Sequence, residues 1–457
     1  RAAALLAVLS ITVSLAAPAF AETYYYIDDG DITITKDENG QTVKQGNKEA
    51  ENIGADEEII ITTREQTITT QESDLKGPAA EDSGFGPVVE DNYQPAQPED
   101  AEEPESADQP EDAEEPKDAD QPENAEESEN TEESENTDRQ ESAGQQPQPQ
   151  QAAPAAAAAP AASTPGNGFC KNIITVINKC ADKVLNLTLK DVKIDVSDTG
   201  IPGTTIKGKA ALSVQGKGNV EIELDGDNEL KSGANRAGLE KNTSEGTLTL
   251  KDDNKDGSLK ATGGDSGAGI GGGVNGSGEN ITITGGTVTA TGGDYGAGIG
   301  GGYKGYGKNI TIKGGTVNAA GGDNGGAGIG GGDYGSGEDI TITGGTVNAA
   351  GGLDGAGIGG GWKGSGKNIT ITGGTVNAAG GNGGSGIGGG DYGSGEDITI
   401  KGGTVNAAGG YGGAGIGGGY EGSGSNVTVS GAAQVTAITG KPDWVGAGAT
   451  IGNGGSK

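Results

Sequence analysis

The stretch GAGIGGG, Gly267 to Gly273, returns at Gly296, Gly326, Gly355 and Gly413, with GSGIGGG at Gly384. Taken singly it fits G-x-G-x-x-G, because Gly267, Gly269 and Gly272 fall where a dinucleotide fingerprint has its glycines. A fingerprint needs a helix opening directly after the glycines, so that its first amides face a pyrophosphate. Each copy here leads instead into another turn and then N-I-T-I or a close variant. The heptapeptide therefore reads as one part of a repeated structural unit.

The isoleucines of the six copies, Ile270, Ile299, Ile329, Ile358, Ile387 and Ile416, are spaced 29, 30, 29, 29 and 29 residues apart. So constant a period means stacked units. Within a unit the apolar residues alternate: Ile281 and Ile283 flank Thr282, then Val288 and Ala290 flank Thr289. Period two is the strand signature. Three short strands per unit, AGIG, NITIT and TVTAT, match one coil of a parallel β-helix. The interior is then expected to hold three ladders. One runs through the GIG isoleucines, a second from Ile281 through Ile310, Ile340, Ile369 and Ile398 to Val427. The third goes from Val288 through Val317, Val347, Val376 and Val405 to Val435. Glycine pairs such as Gly285-Gly286 supply the tight corners. A single coil buries too little to order itself, so the stack must fold cooperatively and needs end caps.

Composition agrees. Of 457 residues, 94 are glycine, only 31% are apolar and 4% aromatic, and histidine and methionine are absent, which leaves a thin aliphatic core and argues against a conventional globular enzyme. Arg1, the apolar run Ala2 to Ala17 and the small-x-small Ala19-Phe20-Ala21 read as a secretory signal over residues 1–21. Residues 22–72 contain GDITITK and EIIITTREQTITT, read as a short β segment able to dock as a cap. The net charge of −36 is concentrated between Glu99 and Glu141, where 21 acidic residues face only Lys117 and Arg139. With the Pro/Gln/Ala run that follows, residues 73–168 read as a disordered acidic tether. Irregular coils are expected over 169–262, regular 29-residue coils over 263–431, and a last coil, cut short, over 432–457. From Gly263 onward 13 acidic residues meet eight lysines, so nothing basic points to nucleic acid. No later apolar run is long enough to span a membrane. Cys170 and Cys180, in an exported chain, are expected to form one disulfide.

The run ELDGDNELKSGANRAGLEKN, then LTLKDDNKDGSLKATGG, then the GAGIGGG/NITITGGTVTA units resembles secreted glycine-rich surface proteins of clostridia-type gut bacteria described as carbohydrate-binding-domain-containing. The likeness covers about Leu185 to Gly455, and more weakly Glu22 to Gln71. It implies a right-handed parallel β-helix at the cell surface that binds plant or host polysaccharide, sometimes with calcium. The acidic tether is not part of that pattern.

Candidate sites fall in rows. The loop after GIGGG carries nearly all the aromatics of the repeats: Tyr303 and Tyr306, Tyr334, Trp362, Tyr392 and Tyr420, with Asp333 and Asp391 alternating against Lys304 and Lys363. Aromatic faces stack on sugar rings while charged groups hydrogen-bond hydroxyls, so this row is the expected carbohydrate site. The competing reading is that the rings cover corner backbone. Asp265, Asp294 and Asp323 precede three successive GIG strands and are the candidates for calcium, although Asn382 and Tyr411 break the row. Thr282/Thr284, Thr311/Lys313, Thr341/Thr343, Thr370/Thr372 and Thr399/Lys401 form outward pairs, an array suited to ice but interrupted by lysine. Glu279, Lys308, Glu338, Lys367 and Glu396 alternate in sign coil by coil and read as a register device.

Polysaccharide lyases and hydrolases are the rival class. Histidine is absent and no arginine follows Arg236, which removes histidine dyads and an arginine base from the repeats. Every candidate carboxylate belongs to a periodic row instead of one distinguished cleft. The expectation is a secreted, non-catalytic protein binding polysaccharide or host glycan multivalently. Self-association through a bare glycine face, at Gly269 and Gly271, is the alternative.

Overall fold

The computed structural model describes residues 23–54, 57–64, 168–242, 245–440 and 446–456. The segments read as a signal (1–21) and as an acidic tether (73–168) fall outside these residues, apart from Gly168. Each repeat contributes three strands, in the first copy Ile270–Gly271, Gly278–Ile283 and Thr287–Thr291. Every strand pairs in parallel with its counterpart one coil on, as Ile270 does with Ile299, Ile281 with Ile310 and Val288 with Val317. Repetition assembles three sheets, called here the glycine, isoleucine and valine sheets after these ladders. They contain 13, 13 and nine strands among the described residues. This is an all-β parallel β-helix.

The expected ladders are the core. All six GIG isoleucines, the five isoleucines from Ile281 to Ile398 and the five valines from Val288 to Val405 are fully buried. Val427 and Val435, in the last coil, are only partly so. The ladders continue upstream through irregular coils, Leu239 below Ile270, then Leu212, Ile174 and Ile32.

The glycine strand is two residues long, not the four the sequence suggested. Gly271 has φ +129, and its counterparts Gly300, Gly330, Gly359, Gly388 and Gly417 have φ between +133 and +135, backbone that L side chains rarely adopt. A Cβ on Gly271 would also lie 2.1 Å from the Gly300 carbonyl oxygen. The heptapeptide is thus explained by coil packing. Gly269 and Gly271 are buried, and a Cβ on Gly269 would strike the backbone of Thr291 and Ala290. The bare outward glycine face expected from sequence does not exist, because these residues turn inward against neighbouring backbone.

The segment 23–64 belongs to the solenoid. Ile32–Asp37 pairs in parallel with Ile174–Asn178 and antiparallel with the hairpin strand Gly40–Gln45. Thr23–Tyr26 pairs with Ile59–Thr62, which pairs with Leu185–Lys190. After Gly168, Cys170 bridges in parallel to Ile194 and so takes the valine-sheet position of this first coil.

The expected disulfide is absent. Cys170 and Cys180 are both free and buried. Between them lies the extended strand Ile174–Asn178, whose five residues at about 3.3 Å each hold the two cysteines well beyond the roughly 7 Å that a disulfide tolerates. Burial pushes the Cys170 thiol up to about 11.

Candidate functional site

The loop after each GIGGG is a turn whose second residue is left-handed: Lys304, Tyr334, Lys363, Tyr392 and Glu421 have φ between +55 and +61. That turn points the first residue toward the body and the second toward solvent. Tyr303, Asp333, Trp362, Asp391 and Tyr420 are accordingly buried or half-buried, while Lys304, Tyr334, Lys363, Tyr392 and Glu421 are exposed. The sequence-predicted aromatics therefore form two rows, alternating inward and outward from coil to coil.

Their contacts make a ribbon along the axis. Ring centroids lie 6.1 Å apart for Tyr303–Tyr334, 4.6 Å for Tyr334–Trp362 and 5.8 Å for Tyr392–Tyr420, each pair edge to face. Tyr295, which sequence reading did not select, extends the ribbon at 5.3 Å from Tyr303. The Lys304 ammonium lies 4.9 Å from the Tyr303 centroid and 5.8 Å from that of Tyr334, and Lys363 lies 4.2 Å from Trp362 and 5.7 Å from Tyr334. The inward rings of Tyr303 and Trp362 are thus partly covered by lysines of their own loops. Tyr306 stands apart, 49% exposed, with its amide accepted by the Ser277 hydroxyl.

Beneath the ribbon sit carboxylates. Asp333 is 3% exposed, and its Oδ1, like that of Asp391, is buried without a hydrogen-bond partner. Burial, with the nearby Asp354 carboxylate, pushes Asp333 up to about 6, against Lys304, Lys363 and the Tyr334 amide, which lower it. Asp391 is likewise raised to about 6 by burial and Asp354, while the Tyr392 amide and the Trp362 side chain hydrogen-bond it. Asp354 is itself raised, chiefly by burial. Sequence reading missed it because it occupies the Tyr295 position of its coil, one residue beyond the Asp265/Asp294/Asp323 row. The backbone shows the equivalence: Asp333 N–H donates to Tyr295 O and Asp391 N–H to Asp354 O.

The calcium candidates are turn residues. Asp294 and Asp323 are exposed, and Asp265 accepts from Gly203 N–H and the Ser266 hydroxyl, each at 3.1 Å. Among the described residues no three Asp, Glu, Cys or His side chains converge as metal ligands.

The alternating charge row pairs between coils. Lys308 meets Glu338 at 3.5 Å and Lys367 meets Glu396 at 3.3 Å, between strands in register. Beside them Asn280, Asn309, Asp339, Asn368, Asp397 and Asn426 share a left-handed backbone and bond in pairs, as Asn309 Nδ2 does to Asn280 Oδ1 at 2.9 Å. Another amide row went unnoticed in the sequence although its period is plain: Asn318, Asn348, Asn377 and Asn406, on the outer side of the valine sheet.

Comparison with known proteins agrees with this geometry. A family model described as a beta helix repeat matches residues 255–274, 281–303, 310–333, 340–362, 369–391 and 398–420. No curated protein and no solved structure matches the chain. The matched segments coincide with coils whose ladders fill the core, and the chain folds as a parallel β-helix with beta-helix repeats between residues 255 and 420.

Proposed function

We propose that this protein binds carbohydrate without catalysis, through the outward row Lys304, Tyr334, Lys363, Tyr392 and Glu421, and that it does so outside the cell. The observation that carries the reading is the placement of Tyr334 and Tyr392, 42% and 49% exposed and two coils apart, with the lysine of the intervening coil between them. Two coil spacings are roughly 10 Å. Two ring platforms at that separation suit successive sugar units of one chain, and Lys363 can donate to hydroxyl or carboxylate groups between them. Each contact is weak, and repetition along the axis adds them.

The test is a glycan array with the full chain and the variant carrying Tyr334→Asn and Tyr392→Asn. Asparagine tolerates the left-handed backbone at both positions, so the fold is preserved while both platforms are removed. Binding by the parent and its loss in the variant is the expected result. Retention by the variant of every glycan that the parent binds, or no glycan bound by the parent, refutes the reading.

A further inference from the structure

A groove of about 510 Å³ crosses the coils on the outer side of the valine sheet, far in sequence position from the loop row within every coil. It is lined by two outward rows. One is the amide row Asn318, Asn348, Asn377 and Asn406, and the other, two residues on along each strand, is Ala320, Ala350, Ala379 and Ala408. Asn348 Nδ2 donates to Asn318 Oδ1 at 2.8 Å, Asn377 to Asn348 at 2.8 Å and Asn406 to Asn377 at 2.9 Å. Asn348, Asn377 and Asn406 each use one N–H in this ladder and carry a second for an outside acceptor, while Asn318 only accepts within it. The ladder thereby fixes neutral donors at the coil spacing of about 4.8 Å. The alanine row offers methyl groups only. No charged residue lines the groove, in a chain of net charge −36.

We propose that this groove binds a neutral, linear polysaccharide lying along the solenoid axis. A sugar ring has a C–H face and a hydroxyl edge, and the groove has a methyl strip beside a donor strip of constant spacing. A charged polymer would lose its hydration here and meet no counter-charge. A second copy fits less well, because two identical concave faces leave each other unfilled and both chains are strongly anionic. The site is distinct from the loop row and does not depend on it.

The experiment is affinity electrophoresis of the full chain through gels containing β-glucan, xylan or galactomannan, with polygalacturonate as the charged comparison. The groove variant carries Ala350→Glu and Ala379→Lys, neighbours in register that can pair across the coils and so spare the fold. A second groove variant, Asn348→Ala with Asn377→Ala, removes donors without adding bulk. Retardation by a neutral polymer, weakened at least about tenfold in both groove variants and unchanged in the Tyr334→Asn/Tyr392→Asn variant, is the expected result. Three outcomes overturn it: no retardation by any neutral polymer, equal retardation of parent and groove variants, or equal retardation by polygalacturonate. A dimer in sedimentation that both groove variants dissolve would assign the groove to self-association instead. Because the loop and groove variants are scored separately, failure of one site leaves the other site's result intact.

Discussion

The Lys363 ammonium lies 4.2 Å from the centroid of the Trp362 ring, on the adjacent position of the same turn. Trp362 also packs edge to face with Tyr334 and hydrogen-bonds Asp391 in the next coil. It ties three coils together. Trp362→Ala is expected to destabilise the protein by about 2–4 kcal/mol, whereas Lys363→Gln costs about 1 kcal/mol or less. Denaturant titrations of the two variants measure the difference, and equal midpoints would contradict the assignment.

Asp333 and Asp391 set a pH dependence. Both are raised to about 6 in the folded protein from an ordinary 3.8, so the native state holds protons that the unfolded chain releases. Their stabilising contribution is complete below about pH 4 and is lost as pH rises through about 6. Melting temperature is therefore expected to increase on acidification from pH 7 to pH 4.5. Replacing both with asparagine, which mimics the protonated form, should stabilise the protein at pH 7 by on the order of 1–3 kcal/mol and flatten this slope. The groups facing them are Lys304, Lys363, Trp362, Asp354 and Glu421, and none of these changes in that variant. A slope identical in parent and variant would refute the prediction.

Gly330→Ala places a Cβ 2.0 Å from the Gly359 carbonyl oxygen at a residue with φ +135. The coil spacing cannot widen locally without breaking ladders on three sheets. A loss of more than about 3 kcal/mol is expected, or failure to fold. Thr346→Ala, at an exposed strand position of the same coil, is the control and should stay within about 0.5 kcal/mol.

The two thiols are buried, and Cys170 is held protonated by its surroundings. A thiol reagent should label neither cysteine in the native protein and both after denaturation. Reductant should leave the melting temperature unchanged. Mass spectrometry finding the two cysteines cross-linked would contradict the structure.

The ladders were legible because a solenoid repeats its chemistry at a fixed period, so Ile270 and Ile299 announce their contact from 29 residues apart. The loop residues were legible from their period, but their directions were not. Whether Tyr303 or Tyr334 faces solvent depends on which residue of the turn takes positive φ, and both Lys304 and Tyr334 do so without any glycine to mark it. The single 30-residue spacing is absorbed by Gly325, at φ +122, whose carbonyl accepts the Trp362 amide. Composition gave no sign that Asp333 Oδ1 and Asp391 Oδ1 would be buried without a hydrogen-bond partner. The cysteines misled for a related reason. Their spacing looked like a short closed loop, but the residues between them carry a fully extended strand.

Chain order and spatial order part company at the first coil. The strands Ile32–Asp37 and Ile59–Thr62 are hydrogen-bonded to Ile174–Asn178 and Leu185–Lys190, so the described residues on either side of residues 65–167 belong to one body. A protease that cuts anywhere within that stretch would yield two polypeptides on a denaturing gel and a single particle in solution. The smaller piece would behave as a subunit rather than as a released fragment.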